Sequence, residues 1–152
     1  MVYLGLGSNI GDRAENIEKA LLLISARVGK VLHISSFYES EAWGYHSNNK
    51  FLNIAAAVET TLLPEKILQK IKKIESILGR NEKKSDSYED RLIDIDILFY
   101  NDLIFCAAQL VIPHPHIEKR KFVLVPMLEI APDFVHPVLQ KTMRELNDIA
   151  NL

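Results

Sequence analysis

Apolar and polar positions along the chain switch between a period of two and a period near 3.6, and the switches mark its elements. Residues 2–7 (VYLGLG) form a short apolar run ending in glycines, the pattern of a buried strand. Asp12, with Glu15 at the capping-box distance, predicts a helix start. Ile17, Ala20, Leu21, Ile24 and Val28 then share one helical face up to Gly29. Residues 30–40 (KVLHISSFYES) are rich in β-branched and aromatic side chains and predict a strand. Residues 41–50 (EAWGYHSNNK) have loop composition, and 51–60 (FLNIAAAVET) predict the next strand. Pro64 suits the first turn of a helix running to Gly79, with Ile67, Ile71, Ile74 and Leu78 inward. A polar loop at 80–90 leads into a strongly apolar strand at 91–100 (RLIDIDILFY), expected at the centre of its sheet. Asn101-Asp102 marks a turn, and 103–105 a short returning strand. Prolines cut the remainder into short pieces, and Thr142 with Glu145 offers a capping box for a last helix.

The order strand, helix, strand, strand, helix, strand is the split βαβ, or ferredoxin-like, arrangement. The expected class is α+β, with αβα layers and a mainly helical C-terminal extension. Two helices would cover one sheet face, and loops would crowd the other. At 152 residues the expectation is a single domain, 1–152.

Composition narrows the function classes. Hydrophobic residues make up 48% and charged residues 25%, ordinary for a soluble protein. A formal charge of −2 argues against nucleic acid or an anionic membrane as a partner held by bulk charge, so an anionic substrate needs a local cluster. No apolar run approaches membrane-spanning length, and no basic leader follows Met1. Cys106 is the only cysteine, which suits a reducing cytoplasm. We expect a cytoplasmic monomer.

The chemistry concentrates in Asp94-Ile95-Asp96. Strand alternation sends Ile93, Ile95 and Ile97 to one face and both aspartates to the other, roughly 7 Å apart at Cα. Carboxylates this close repel unless a cation lies between them, and an all-oxygen donor set suits Mg²⁺. A pair of solvated acids on an exposed strand is the competing reading. Arg80 and Arg91 bracket the polar loop, and guanidinium groups clamp phosphate oxygens. Glu75 falls inside the apolar stripe of its helix, where a carboxylate needs a partner. His114 stands between Pro113 and Pro115, with Lys119, Arg120 and Lys121 close behind. Asn53 could bond one edge of a heterocycle, and Phe51 and Phe122 could stack on a flat ring, although by periodicity alone such residues are more often plain core. The segment LGLGSNIGD lacks the spacing of a nucleotide loop, and Gly5 reads as a site of close backbone approach.

Taken in order, LGLGSNIGD (4–12), SSFYES (35–40), FLNIAAAVET (51–60), IESILGR (74–80), DRLIDIDILFY (90–100) and IPHPHIEKRKFVLVPMLEIAPDFVHP (112–137) form one pattern. The chain resembles the 6-hydroxymethyl-7,8-dihydropterin pyrophosphokinases of folate biosynthesis over nearly its whole length. The resemblance implies a ferredoxin-like αβα fold and transfer of the pyrophosphoryl group of ATP to the pterin hydroxymethyl group, releasing AMP. It implies two Mg²⁺ ions at Asp94 and Asp96, and catalytic arginines at Arg80 and Arg91. It implies a pterin pocket of Ser40, Trp43, Phe51, Asn53 and Phe122. ATP contacts would fall at Glu75, Tyr88, Arg91, Ile97, His114 and Arg120. Glu41-Ala42 departs from a proline-rich stretch common in the family, and Ser40 keeps the hydroxyl of the commoner Thr.

Overall fold

The structure, a computed structural model, describes residues 1–79 and 90–152. In chain order the elements are β1 (Val2–Ser8), α1 (Arg13–Arg27), β2 (Lys30–Ile34), β3 (Tyr38–Ser40), β4 (Phe51–Glu59), α2 (Pro64–Ile77), β5 (Asp94–Tyr100), β6 (Phe105–Ala107), β7 (Leu110–Ile112), α3 (Lys121–Ile130) and α4 (Met143–Ala150). A short 3-10 helix at Ile117–Lys119 precedes α3. The main sheet runs β2-β4-β1-β5, with β3 also paired to β4, and every pairing in it is antiparallel. This is the expected ferredoxin-like α+β order.

Strand alternation builds two cores. Val2, Leu4 and Leu6 of β1, Ile54, Ala56 and Val58 of β4, and Ile95 and Ile97 of β5 meet the buried stripes of α1 and α2. On the second face Ala55, Leu98 and Phe99 pack with Val123, Leu124 and Met127 of α3 and with Met143 and Leu146 of α4. The C-terminal extension therefore supplies the second helical layer of the expected αβα arrangement, on the face where loops were also expected to crowd. Pro126 had marked a break, yet it lies inside α3 and is buried. A proline there removes one helical hydrogen bond but leaves an apolar surface that packs.

Other boundaries moved for identifiable reasons. The 30–40 strand splits, because Ser35 turns inward and its Oγ accepts the Ala55 N–H at 2.9 Å. Beyond the break, Glu129 of α3 accepts from the Ser36 N–H, the Ser36 hydroxyl and the Tyr38 hydroxyl at 2.7, 2.7 and 2.8 Å. The returning strand falls at 105–107 and pairs with 110–112 in a separate hairpin. β5 lies at the edge of the main sheet, not at its centre. Its apolar character comes from burial on both faces. A register shift opposite Tyr3 and Leu4 places Leu98 and Phe99 together on the second face, while Ile95 and Ile97 fill the first.

Helix caps follow the sequence signals in part. Asp12 caps α1 by accepting the Glu15 N–H at 3.1 Å. Thr142 and Glu145 form the full reciprocal box at α4.

Candidate active site

The part of the second face around Gly5, Gly7 and Asn53 opens into a cavity of about 220 Å³. Its floor follows from β1, where Gly5 and Gly7 occupy positions that alternation turns toward that face. Across β1–β5, Gly5 pairs with Asp96 and Gly7 with Asp94. Across β1–β4, Gly5 pairs with Ala55 and Gly7 with Asn53. Two missing side chains thus leave a trough with the acids on one bank and Asn53 on the other. The fit is close at Gly7, where an added Cβ would stand 3.2 Å from Asn53 Oδ1 and 3.4 Å from the Phe51 ring.

On the acid bank, Asp94 Oδ1 accepts from Arg91 Nη1 at 2.9 Å. Arg91 is buried and Asp94 partly exposed, and both line the cavity. Asp96 Oδ1 lies 3.8 Å from His114 Nε2. His114 is anchored to β5 by its own N–H, which donates to the Leu98 carbonyl at 3.0 Å. Its Nδ1 stands 2.8 Å from the Pro115 carbonyl and must donate there, which leaves the lone pair on Nε2. Burial lowers the imidazole pKa from its ordinary value, so this neutral tautomer prevails near pH 7.

On the opposite bank, Asn53 is buried and its Nδ2 donates to the Tyr38 carbonyl at 3.1 Å and to Ser40 Oγ at 2.8 Å. Both amide hydrogens are thereby used, and Oδ1 faces the space above Gly7 as an acceptor. Phe51 and Phe122 line the same cavity. The Arg120 guanidinium sits 4.2 Å above the Trp43 ring and 5.7 Å from that of Phe122. Its Nε is buried with no hydrogen-bond partner among the described residues, an unspent donor at the cavity wall.

The structure therefore brings Ser40, Trp43, Phe51, Asn53 and Phe122 together with Arg91, Asp94, Asp96, His114 and Arg120 around one space. Two predicted residues stand apart from it. Ile97 turns into the core beneath the sheet, because alternation carries it away from the aspartates, and its side chain does not reach the cavity. Glu75 is buried at the end of α2, where its Oε2 accepts the Ile95 N–H at 3.1 Å and so satisfies a backbone donor on the outer edge of β5. Arg80 and Tyr88 lie outside the described residues. Sequence reasoning passed over Gly7, although glycines two apart in a strand signal a depression on one face. It also passed over Tyr45, which lines the cavity from the 41–50 loop and which no spacing rule connects to the aspartates. Among the described residues no group of three or more His, Cys, Asp or Glu side chains gathers as a metal site.

A family model described as 7,8-dihydro-6-hydroxymethylpterin-pyrophosphokinase matches residues 3–132. The 2-amino-4-hydroxy-6-hydroxymethyldihydropteridine pyrophosphokinase of Aquifex aeolicus is 44% identical over 144 residues, covering 95% of this chain and 88% of that protein. Its namesake from Porphyromonas gingivalis is 43% identical over 141 residues, covering 90% of this chain and 94% of that protein. Among solved structures, the Plasmodium falciparum HPPK-DHPS wild type with pteroate aligns with a TM-score of 0.79 at 19% identity, over 97% of this chain and 44% of that one. The chain thus spans less than half of that structure's length, and at this identity the likeness is one of fold.

Proposed function

The chain belongs to the 7,8-dihydro-6-hydroxymethylpterin-pyrophosphokinase family, and from that premise we propose how its residues divide the work of the reaction. The activity is transfer of the pyrophosphoryl group of ATP to 6-hydroxymethyl-7,8-dihydropterin, giving the pterin diphosphate and AMP. A bond forms between the pterin hydroxymethyl oxygen and the β-phosphorus. The bond between the β-phosphorus and the oxygen bridging to the α-phosphorus breaks, and the hydroxyl proton passes to solvent.

The carrying observation is the shared cavity, with a flat-ring bank facing a charged bank across two glycines. Phe51 and Phe122 sandwich the pterin ring, and Asn53 Oδ1 accepts from one of its N–H groups. Ser40 and the Tyr38 carbonyl hold the Asn53 amide in that orientation. Arg120 offers its unspent Nε–H to phosphate oxygen, where a charge-assisted bond satisfies a buried donor. Arg91 fixes Asp94 and adds positive charge beside the transferred group. His114, neutral at Nε2, adds no charge of its own next to Asp96.

The donor set fits magnesium. Mg²⁺ is bound through one or two carboxylates plus phosphate oxygens and water, so Asp94 and Asp96 suffice without a third protein carboxylate. These two residues would hold two Mg²⁺ ions, which when bound neutralise phosphate charge and stabilise the attacking and leaving oxygens. Positioning and electrostatics supply most of the rate, as in phosphoryl transfer generally. Arg80 would lend a second guanidinium, and Glu75, Tyr88 and Ile97 would contact ATP, Ile97 through its backbone. The whole chain would act as one domain, as a monomer in the cytoplasm. No helix among the described residues is long and apolar enough to cross a membrane.

Incubating the protein with ATP, Mg²⁺ and 6-hydroxymethyl-7,8-dihydropterin tests the reading. AMP appearing in step with the pterin diphosphate is expected. ADP in place of AMP would make it a simple kinase and overturn the assignment.

A further inference from the structure

Asp90 stands one residue before Arg91, outside the cavity wall, and four side chains converge on it. Its Oδ1 accepts from Asn9 Nδ2 at 2.8 Å, the Tyr45 hydroxyl at 2.9 Å and the Ser47 hydroxyl at 2.7 Å. Its Oδ2 accepts from Asn49 Nδ2 at 2.9 Å. Three of these donors belong to the 41–50 loop, which has no helix or strand of its own. The fourth, Asn9, is buried just past β1. Its Oδ1 accepts the Arg91 N–H at 2.8 Å, and its N–H donates to the Arg91 carbonyl at 3.1 Å. One carboxylate thus joins the loop that carries Trp43 to the segment that enters the aspartate strand.

The bonds are those of an ionised acceptor to neutral donors. The Ser47 hydroxyl, helped by Asn9, Tyr45 and Asn49, holds the Asp90 carboxyl down at about 2. Burial, and then the bond to Asp90, pushes the Tyr45 hydroxyl up to about 12. The loop in turn builds part of the cavity. Tyr45 and Trp43 both line it, and Trp43 carries the Arg120 guanidinium on its ring.

We propose that Asp90 is a positioning residue, which sets the 41–50 loop against the pterin end of the cavity and locks it to the segment bearing Arg91, Asp94 and Asp96. This rests on the cavity being the pterin and ATP site. Hydrogen bonds to a charged group are worth roughly a tenfold to hundredfold bias each, so their joint loss releases the loop. A pterin that needs the set loop then binds in proportion to the fraction of molecules holding it, while the rate once both substrates are bound changes little.

Asp90→Ala and Ser47→Ala test this in the full chain with 6-hydroxymethyl-7,8-dihydropterin as the probe. Trp43 is the only tryptophan, so acrylamide quenching of its emission reads the loop directly. Asp90→Ala is expected to raise KM for the pterin about tenfold or more, leave kcat within about threefold, and increase Trp43 quenching. Ser47→Ala, which removes one of the four bonds to Asp90 together with the bond from the Asn49 N–H to the Ser47 hydroxyl, keeps the test alive if the first variant folds poorly and is expected to raise the same KM by a smaller factor. Added to Asp90→Ala it changes KM by less than it does alone, because its bond to the carboxylate is already gone and only the Asn49 N–H contact remains to be lost. An unchanged pterin KM and unchanged quenching in both variants would overturn the proposal, as would effects of the two substitutions that multiply. A wild-type protein that releases no AMP would instead refute the assigned reaction, and the quenching comparison would still decide the loop's dependence on Asp90.

Discussion

Gly7→Ala is the sharpest probe of how the cavity is made. The substitution adds one methyl group to the floor between the two banks. No positive φ is required at this position, so alanine meets no backbone penalty. Space is the constraint, since the new Cβ stands 3.2 Å from Asn53 Oδ1 and 3.4 Å from Phe51 Cδ1. Asn53 cannot retreat freely, because its Nδ2 is tied to Tyr38 and Ser40. Forcing a methylene into a packed site costs about 1–3 kcal/mol. Charged against pterin binding, that is about a 5- to 150-fold rise in KM for the pterin. Folding stability should fall by less than that strain, because a residue compatible with its backbone regains about 0.4–1 kcal/mol from a stiffer unfolded chain. The assay is steady-state AMP release at saturating ATP with varied pterin, alongside thermal unfolding. A wild-type pterin KM in a folded Gly7→Ala protein would refute the trough as the pterin floor.

Other consequences follow from single contacts. Thr142→Ala removes the reciprocal cap of α4 and should cost about 1 kcal/mol, lowering Tm by about 2–4 °C with no change in pterin KM. Ile74→Ala empties a fully buried position of α2 and should cost about 2–5 kcal/mol in urea unfolding; a loss under 1 kcal/mol would contradict the first core. The pH dependence of stability should carry the mark of Asp90. Its folded pKa, about 2, lies below the ordinary 3.8, so its contribution is fully present above about pH 4 and fades as pH falls through about 2. The stability difference between wild type and Asp90→Asn should therefore be flat from pH 7 to about 4 and shrink below it. A difference that grows on acidification would contradict the sign.

Much of the fold was legible because periodicity and caps agreed. Ile17, Ala20 and Ile24 behind Asp12, and Ile67, Ile71 and Ile74 behind Pro64, placed both helices of the first layer. The second layer was harder to read. Residues 121–130 are apolar on several sides and contain Pro126, so they give no clean stripe. The edge position of β5 was hidden for a related reason, since burial on both faces makes an edge strand read like a central one. In the site, Asp94 and Asp96 were legible from alternation alone. Asn53 and Phe51 gained meaning only through the resemblance, since a strand pattern cannot separate a core residue from a pocket wall. The Asp90 cluster was invisible, because Asn9, Tyr45 and Asn49 come together only when three segments fold. Glu75 was legible as a carboxylate in an apolar stripe that needs a partner. It does find a buried partner, the Ile95 N–H.

The central claim is that Asp94 and Asp96 hold the ions through which pyrophosphoryl transfer is stabilised. Measuring AMP release against Mg²⁺ concentration for wild type and Asp96→Ala, with pterin binding followed separately by Trp43 fluorescence, tests it most directly. The account predicts Mg²⁺-dependent release by the wild type, a loss of about a hundredfold or more in the variant, and pterin binding largely retained. Release by Asp96→Ala at the wild-type rate and with the wild-type Mg²⁺ dependence would contradict it.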